Sequence, residues 1–207
     1  GTIVLSRGGA LTPILPADRV GLPGPHNRMN ALASLAALHG LGLDITNPAA
    51  AECLVRFKGL PHRIEFVGTL NGVRFYNDSK ATNTDSMAVA IRSFAEPIVL
   101  IAGGRDKKGD FASLAASVRE RVAVVVTIGE AGPVIRGAWG DAVPDWVEAG
   151  RSFERAVEAA YQEAFARQGV VLLSPGCASY DMFRDYEDRG RRFRELVLDL
   201  GAESVAS

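Results

Sequence analysis

Cysteine and histidine are scarce in this sequence of 207 residues, and no hydrophobic run is long. The two cysteines, Cys53 and Cys177, form no CxxC pair and the three histidines are scattered, so we expect neither a disulfide framework nor a metal site. The longest apolar runs, Ile98–Ala102 and Val122–Ile128, are far shorter than the roughly 18 residues of a membrane span. These absences predict a cytoplasmic protein without a membrane partner.

Neither sign of charge is in excess. Lys and Arg together number 23 and Asp and Glu 24, a balance that argues against a nucleic-acid partner. With 47% hydrophobic residues, a chain of this length can bury a substantial core in one or two domains. The chain begins at Gly1 without an initiator methionine or a signal-peptide pattern, so we expect it to be a piece of a longer protein.

Two helices are predicted in the first 60 residues, after a start rich in glycine and proline. Apolar residues recur at helical spacing from Pro25 to about Gly40. Asn47-Pro48 then provides an N-cap and a first-turn proline for a second helix that ends near Phe57. The Gly-Leu-Pro segment at 59–61 breaks this pattern and marks a predicted domain boundary.

Strands alternate with helices in the rest of the chain. A hairpin is predicted over 64–77, with its turn at Asn71-Gly72. Four pairs follow, with strands at 98–102, 122–128, 145–149 and 170–173 and helices near 111–119, 133–139, 152–167 and 180–200. This alternation predicts a Rossmann-like α/β domain over 61–207, with a mostly parallel sheet and helices on both faces.

Polar clusters follow three of the predicted strands, at 77–83, 103–109 and 174–179. In open parallel sheets, ligands bind outside the carboxyl ends of the strands. We therefore expect the three clusters to share one edge of the sheet and to form a site.

The first cluster, Asn77–Asn83, supports two interpretations. The Asp78 carboxylate can accept hydrogen bonds from sugar hydroxyls, and the Lys80 ammonium can meet a phosphate or a carboxylate. Alternatively, Thr82, Asn83 or Thr84 simply caps a helix that runs to about Phe94, and Lys80 lies in solvent.

The second cluster combines glycines with cations. Gly103 and Gly104 would let backbone N–H groups approach an anion, and Lys107 and Lys108 add positive charge. A solvated turn explains the same residues. The cluster is not the GxGxxG dinucleotide fingerprint, and the chain contains no GxxxxGK[ST] phosphate loop.

The third cluster leads into the last predicted helix. Ser179, at or near its N-cap, would leave free N–H groups that suit a carboxylate. Cys177 is a possible nucleophile, but no histidine lies nearby in sequence to activate it, and a packed core residue is the favoured interpretation.

Three further residues carry groups that could recognise a nucleotide. Asn27 and Asn30 are three apart, so both amides share one face near a helix start, where they could read a base edge or cap the helix. Arg63 follows the predicted boundary, and its guanidinium suits phosphate or an ion pair with an acid such as Glu65.

Taken together, these strings closely resemble the Mur ligase family of peptidoglycan synthesis. They are His-Asn-x-x-Asn at 26–30, Gly-Leu-Pro-His-Arg-x-Glu at 59–65, Asn-Asp-Ser-Lys-Ala-Thr-Asn at 77–83 and Ser-Pro-x-Cys-Ala-Ser-x-Asp-x-Phe at 174–183. The string at 77–83 resembles the branch that adds D-glutamate to UDP-N-acetylmuramoyl-L-alanine. The resemblance extends over about residues 20–200.

The resemblance implies a three-domain ligase that uses ATP and Mg²⁺. Residues 1–60 would be the short end of its central ATPase domain, and 61–207 its C-terminal ligase domain. The phosphate loop, the uridine pocket and most metal ligands would lie in the missing N-terminal and central domains, so the isolated chain is expected to be inactive.

The resemblance also implies roles for individual residues. Asn27, Asn30, Arg63 and Asp78 would bind ATP. Thr82, Lys107, Ser179 and Tyr186 would bind D-glutamate, with Tyr186 in a place where phenylalanine is expected. Lys80 would be catalytic, between nucleotide and substrate. The alternatives are another Mur-type ligase, adding a diamino acid or polyglutamate, a non-catalytic binding module, and a nicotinamide dehydrogenase, which the missing glycine fingerprint disfavours.

Overall fold

A computed structural model describes residues 1–22 and 24–204 of the chain. The chain divides into two units, Gly1–Gly59 and Leu60–Ser207. In the described part of the chain, no helix combines the length and the apolar character that crossing a membrane requires.

The first unit is a hairpin with two helices. Strands β1 (Thr2–Arg7) and β2 (Ala10–Pro16) are antiparallel, and helices α1 (Pro25–Gly40) and α2 (Pro48–Arg56) follow. The Asn47 side chain accepts a hydrogen bond from the Ala49 N–H at 3.0 Å, so the predicted cap of α2 is confirmed. A small core contains Ile3, Leu15, Leu35 and Ile45.

The second unit is built on a six-stranded sheet. Its strands are β3 (Glu65–Leu70), β4 (Val73–Asn77), β5 (Ile98–Gly103), β6 (Val122–Ile128), β7 (Asp145–Gly150) and β8 (Val170–Leu173). The order across the sheet is β3-β4-β8-β5-β6-β7, and only the β3–β4 pair, the predicted Asn-Gly hairpin, is antiparallel. The predicted mostly parallel sheet is confirmed.

Helices cover both faces of this sheet. They are α3 (Thr84–Ile91), α4 (Ala115–Arg121), α5 (Gly132–Trp139), α6 (Phe153–Arg167) and α7 (Tyr186–Asp199). In β5, Ile98 and Leu100 pack in the core beneath α3, α4 and α5, whereas Val99 and Ile101 pack in the core beneath α6 and α7. The alternation of side chains along a strand thus feeds two separate hydrophobic cores.

Three predicted helix boundaries are wrong, and one of them is the end of α3, at Ile91 rather than near Phe94. The last helix begins at Tyr186 rather than near Tyr180, because the Asp185 carboxylate caps it by accepting from the Asp188 N–H at 2.7 Å. The preceding segment is held in turns instead, with the Phe183 N–H donating to the Ser179 carbonyl at 2.8 Å. After β5, a 3₁₀ turn at Ala112–Leu114 precedes α4, which therefore starts four residues beyond Phe111.

The strand order predicts a ligand crevice beside β8. The segments that leave β4 and β5 lead to helices on one face of the sheet, and the segment that leaves β8 leads to α7 on the other face. Connections that diverge from neighbouring strands open a crevice at the carboxyl ends, which is where open α/β sheets bind ligands.

Candidate functional site

The three polar loops lie at one edge of the sheet and are hydrogen-bonded to one another. They follow β4, β5 and β8, which are neighbours in the sheet. The backbone bonds that join them are Asp78 N–H to Leu173 O (2.7 Å), Gly176 N–H to Ala81 O (2.9 Å), Gly103 N–H to Pro175 O (3.0 Å) and Arg105 N–H to Ala178 O (2.9 Å). The expectation that these loops share one edge is confirmed.

Asp78 is held by hydrogen bonds from two other segments. Its carboxylate accepts from the Ser174 hydroxyl at 2.8 Å and from the Ile64 N–H at 3.2 Å, and the residue is only 6% exposed. Burial raises the pKa of Asp78 to about 7, although both hydrogen bonds and the charges of Arg63 and Arg189 oppose the rise. The group can therefore exist in either protonation state near neutral pH.

Lys80, on the loop after β4, and Tyr186, the first residue of α7, lie together. The Lys80 Nζ is 5.2 Å from the centre of the Tyr186 ring, within the range of a cation–π interaction. The Tyr186 hydroxyl donates to Glu187 at 3.0 Å, and the Tyr186 carbonyl accepts from the Ser79 hydroxyl at 2.8 Å. In the described part of the chain, Lys80 forms no salt bridge, so its ammonium can still pair with an anion.

Lys107 lies on the loop that follows β5, and Thr82 lies on the loop that follows β4. Lys107 is exposed and Thr82 partly buried. Within residues 1–22 and 24–204, the side chain of neither residue forms a hydrogen bond or salt bridge. The first helix residue after Thr82 is Thr84, and Asn83 is the N-cap, since its side chain accepts from the Ser86 N–H at 2.9 Å. Thr82 is thus not needed as the cap.

Ser179 is not at a helix start, contrary to the prediction. It is 2% exposed and lies seven residues before Tyr186, and its carbonyl accepts from the N–H groups of Met182 and Phe183. No helix dipole therefore acts at Ser179. It remains on the loop after β8, beside the other two polar loops.

Gly103 and Gly104 do not offer free N–H groups to an anion, which corrects a second expectation. The Gly103 N–H donates to Pro175 O and the Gly104 N–H to Ile128 O, both at 3.0 Å. A Cβ on Gly104 would lie 2.3 Å from the Ala178 carbonyl, and its φ is +124°. These glycines allow the β5 loop to pack closely against the ends of β6 and β8.

The remaining predicted residues lie in both units. Arg63 is exposed and forms no ion pair among the described residues; Glu65 instead pairs with Arg194. Asn27 and Asn30 are in the first turns of α1, where the Asn30 amide donates to the Asn27 side chain at 3.4 Å. The predicted shared face of these two amides is confirmed.

Arg189 organises the site and was not predicted. It is fully buried, with Nε donating to the Ser79 hydroxyl at 2.9 Å and one terminal nitrogen donating to the carbonyls of Ser79 and Cys177. Burial lowers its pKa to about 10, so it stays charged at neutral pH. Its spacing from Tyr186 and Phe193, on the apolar stripe of α7, is the sequence signal that marks it as a core position.

Cys177 is a packed residue, as the sequence favours. It is 1% exposed, and burial, reinforced by Asp106 and Asp181, raises its pKa to about 12. A thiol this difficult to ionise is a poor nucleophile. In the described residues, no group of three or more His, Cys, Asp or Glu side chains could hold a metal ion.

The chain is similar to known ligases. Residues 62–177 match the family described as "Mur ligase, glutamate ligase domain". A UDP-N-acetylmuramoylalanine–D-glutamate ligase from Pelotomaculum thermopropionicum is 45% identical over 202 residues, which are 97% of this chain and 43% of that protein. The chain thus spans less than half the length of this relative.

Solved structures show the same fold at low sequence identity. A pseudomurein peptide ligase type C from Methanothermus fervidus has a TM-score of 0.61 and 17% identity, over 96% of this chain and 40% of its own. A Mycobacterium tuberculosis folylpolyglutamate synthase complexed with ADP and AMPPCP has a TM-score of 0.59 and 16% identity, over 94% of this chain and 43% of its own. With the family match over more than half of its residues, the chain belongs to the Mur ligase family.

Proposed function

We propose that this chain is the part of an ATP-dependent ligase that binds D-glutamate and adds it to UDP-N-acetylmuramoyl-L-alanine in peptidoglycan synthesis. The observation that carries the proposal is the hydrogen-bonded set of three loops at one end of the sheet, which bears the ammonium groups of Lys80 and Lys107. Neither ammonium group forms a salt bridge with any residue that the structure describes. A doubly anionic amino acid needs such cations. The name of the relative that is 45% identical supports D-glutamate as this amino acid.

D-Glutamate would be held by groups from all three loops. The Lys107 ammonium and the hydroxyls of Thr82 and Ser179 would bind its carboxylates, and the Tyr186 ring would pack against its carbon chain. Lys80, above that ring, would lie between the amino acid and the nucleotide and stabilise charge that develops during transfer.

ATP would be bound on the β4 side of the site. The Asp78 carboxylate would accept hydrogen bonds from ribose hydroxyls, and the Arg63 guanidinium would contact ribose or phosphates. The Arg63 guanidinium is exposed, and the Asp78 carboxylate can accept further hydrogen bonds besides the one from Ser174, which fits this role. Asn27 and Asn30 would lie on the adenine side. The structural neighbour complexed with ADP and AMPPCP supports a nucleotide in this fold.

The residues of this chain would act by positioning and by charge. ATP supplies the activation of the substrate carboxylate as an acyl phosphate, which the amine of D-glutamate attacks, and the resulting tetrahedral species expels phosphate. The chain's cations would orient the amino acid and offset the negative charge. Most Mg²⁺ ligands would lie in the remainder of the polypeptide, which is absent from this chain.

We assign residues 1–60 to the end of a central ATP-binding domain and 61–207 to a C-terminal ligase domain. The division of the chain at Gly59 supports this assignment. The remainder of the same polypeptide would bind the uridine nucleotide and carry the phosphate loop. A cytoplasmic site of action suits substrates that are nucleotides.

Phosphate release by the full-length protein tests the proposal. With ATP, Mg²⁺ and UDP-N-acetylmuramoyl-L-alanine, D-glutamate should support phosphate release and a product heavier by one glutamyl residue in mass spectrometry. L-Glutamate, L-lysine and meso-diaminopimelate are the matched comparisons. Faster turnover with a diamino acid, or none with D-glutamate, would contradict the assignment.

A further inference from the structure

The turn at residues 60–64, at the start of the second unit, has an unusual backbone. His62 has a φ of +65° and Ile64 a φ of +46°. A β-branched residue such as Ile64 rarely adopts the left-handed region, because its side chain crowds the backbone there. Such strain persists only where surrounding contacts impose it, and it clusters at functional sites. Arg63 lies between these two strained residues.

Hydrogen bonds fix the 60–64 turn on both sides of Arg63. The His62 N–H donates to Glu65 Oε2 at 2.9 Å, and the His62 carbonyl accepts from the Lys80 N–H at 3.1 Å. On the other side, the Ile64 N–H donates to the Asp78 carboxylate at 3.2 Å. The turn is therefore bound directly to the two residues assigned to ATP binding and catalysis in the β4 loop.

Glu65 joins this turn to two other elements. Its Oε2 also accepts from the Asn77 amide at 3.1 Å, and its Oε1 accepts from Arg194 on α7. The Glu65 side chain is only 15% exposed and Asn77 is fully buried. One carboxylate thus fixes the turn, the end of β4 and α7 relative to one another.

The His62 ring of the turn packs closely against α7. The Asn77 amide lies 2.9 Å from His62 Nδ1 and donates to the Gly190 carbonyl at 3.2 Å. A Cβ on Gly190 would lie 2.2 Å from His62 Nδ1, so only glycine admits the imidazole ring at this position. The ring is held between Asn77 and the helix surface.

We propose that Glu65 is a positioning residue for the nucleotide, which holds the 60–64 turn so that Arg63 and Asp78 present their charged groups in one fixed arrangement. This inference rests on the proposed roles of Arg63 and Asp78 in ATP binding. Glu65 itself would touch no substrate. Its removal should release the strain of the turn and separate Arg63 from Asp78.

Steady-state kinetics of full-length variants test this inference. Glu65→Ala should raise the KM for ATP about tenfold, as for the loss of one charge-assisted hydrogen bond, with a much smaller change in the KM for D-glutamate. Glu65→Gln retains an oxygen acceptor and should restore most of the affinity for ATP. Glu96→Ala, which removes another glutamate paired with an arginine, Arg74, is the matched control and should leave both KM values unchanged.

A double-mutant cycle separates this inference from the function on which it rests. If Glu65 acts through Arg63, Glu65→Ala should raise the KM for ATP far less in an Arg63→Ala background than alone. If Arg63→Ala alone leaves that KM unchanged, the nucleotide role of Arg63 is wrong and the inference fails with it. If Arg63→Ala raises it but the two effects multiply, only the positioning role is wrong.

Gly190→Ala provides a second route if Glu65→Ala does not fold. The added methyl group displaces the His62 ring, whereas alanine itself favours the helix. The same rise in the KM for ATP is expected, with the KM for D-glutamate nearly constant. An unchanged KM for ATP in this variant, or a fall in kcat alone, would overturn the proposal.

Discussion

Replacing Asp78 by asparagine should stabilise the ligand-free chain at neutral and alkaline pH. The folded chain retains the Asp78 proton until a pKa of about 7, whereas the unfolded chain loses it near 3.8. The contribution of Asp78 to the free energy of unfolding is therefore most favourable below the lower value, falls as the pH rises between the two, and is least favourable above about pH 7. At about 1.4 kcal/mol per pKa unit, the destabilisation at pH 8 is roughly 4 kcal/mol.

Asparagine removes this cost without losing a hydrogen bond. Its oxygen can accept from the Ile64 N–H, and its amide can donate to the Ser174 hydroxyl, which rotates to accept. Thermal unfolding of the 207-residue chain between pH 5 and 8 measures the effect. The melting temperature of Asp78→Asn should exceed that of the parent by roughly 10 °C at pH 8 and by much less at pH 5.

An exposed aspartate provides the control for this experiment. Asp141→Asn, in the 3₁₀ turn after α5, should leave the pH dependence of the parent unchanged. Other titratable groups are present in both proteins, so their contributions to the pH dependence cancel in the difference between the melting temperatures of Asp78→Asn and the parent. Parallel curves for the two proteins, with a constant offset or none, would refute the argument that a buried carboxylate destabilises the fold.

Four other perturbations have defined outcomes. In the full-length enzyme, Lys107→Ala should raise the KM for D-glutamate about 10- to 150-fold, because a charge-assisted hydrogen bond is lost. The control variant Lys108→Ala should leave this KM unchanged. Equal kinetics for Lys107→Ala and the parent would exclude the role of Lys107. Asp78→Ala should weaken the binding of an ATP analogue measured by calorimetry, and an unchanged affinity would exclude the ribose contact. Gly104→Ala should lower the free energy of unfolding in urea by about 2 kcal/mol or more, because its methyl group meets the Ala178 carbonyl; a change below about 0.5 kcal/mol would show that the loops yield easily. The isolated chain, given ATP, Mg²⁺ and both substrates, should release no phosphate, and turnover would show that the phosphate loop is dispensable.

Local sequence patterns predict much of this fold because local physics decides it. The Asn71-Gly72 turn sets the β3–β4 hairpin, Asn47-Pro48 starts α2, and the apolar runs become the buried strands β5 and β6. The order of strands along the chain then brings the three polar loops to one edge, since parallel strands have their carboxyl ends on the same side. The meeting of these loops thus followed from topology, and the site proposed there is still a prediction.

Specific hydrogen bonds and close backbone approaches, some local and some between distant residues, account for what the patterns missed. The start of α7 depends on the Asp185 cap and on turns in the segment before it, which compete with a helix from Tyr180. The roles of Gly104 and Arg189 depend on the carbonyls that they meet across the sheet edge. The partners of Gly104 and Arg189 lie far from them in sequence, so a local pattern does not show these contacts.

A crystal structure of the full-length protein with D-glutamate and a non-hydrolysable ATP analogue would locate both ligands. We expect the carboxylates of D-glutamate to lie within hydrogen-bonding distance of Lys107, Thr82 and Ser179, with the ribose beside Asp78. Electron density for the amino acid away from the loops that follow β4, β5 and β8 would contradict this expectation.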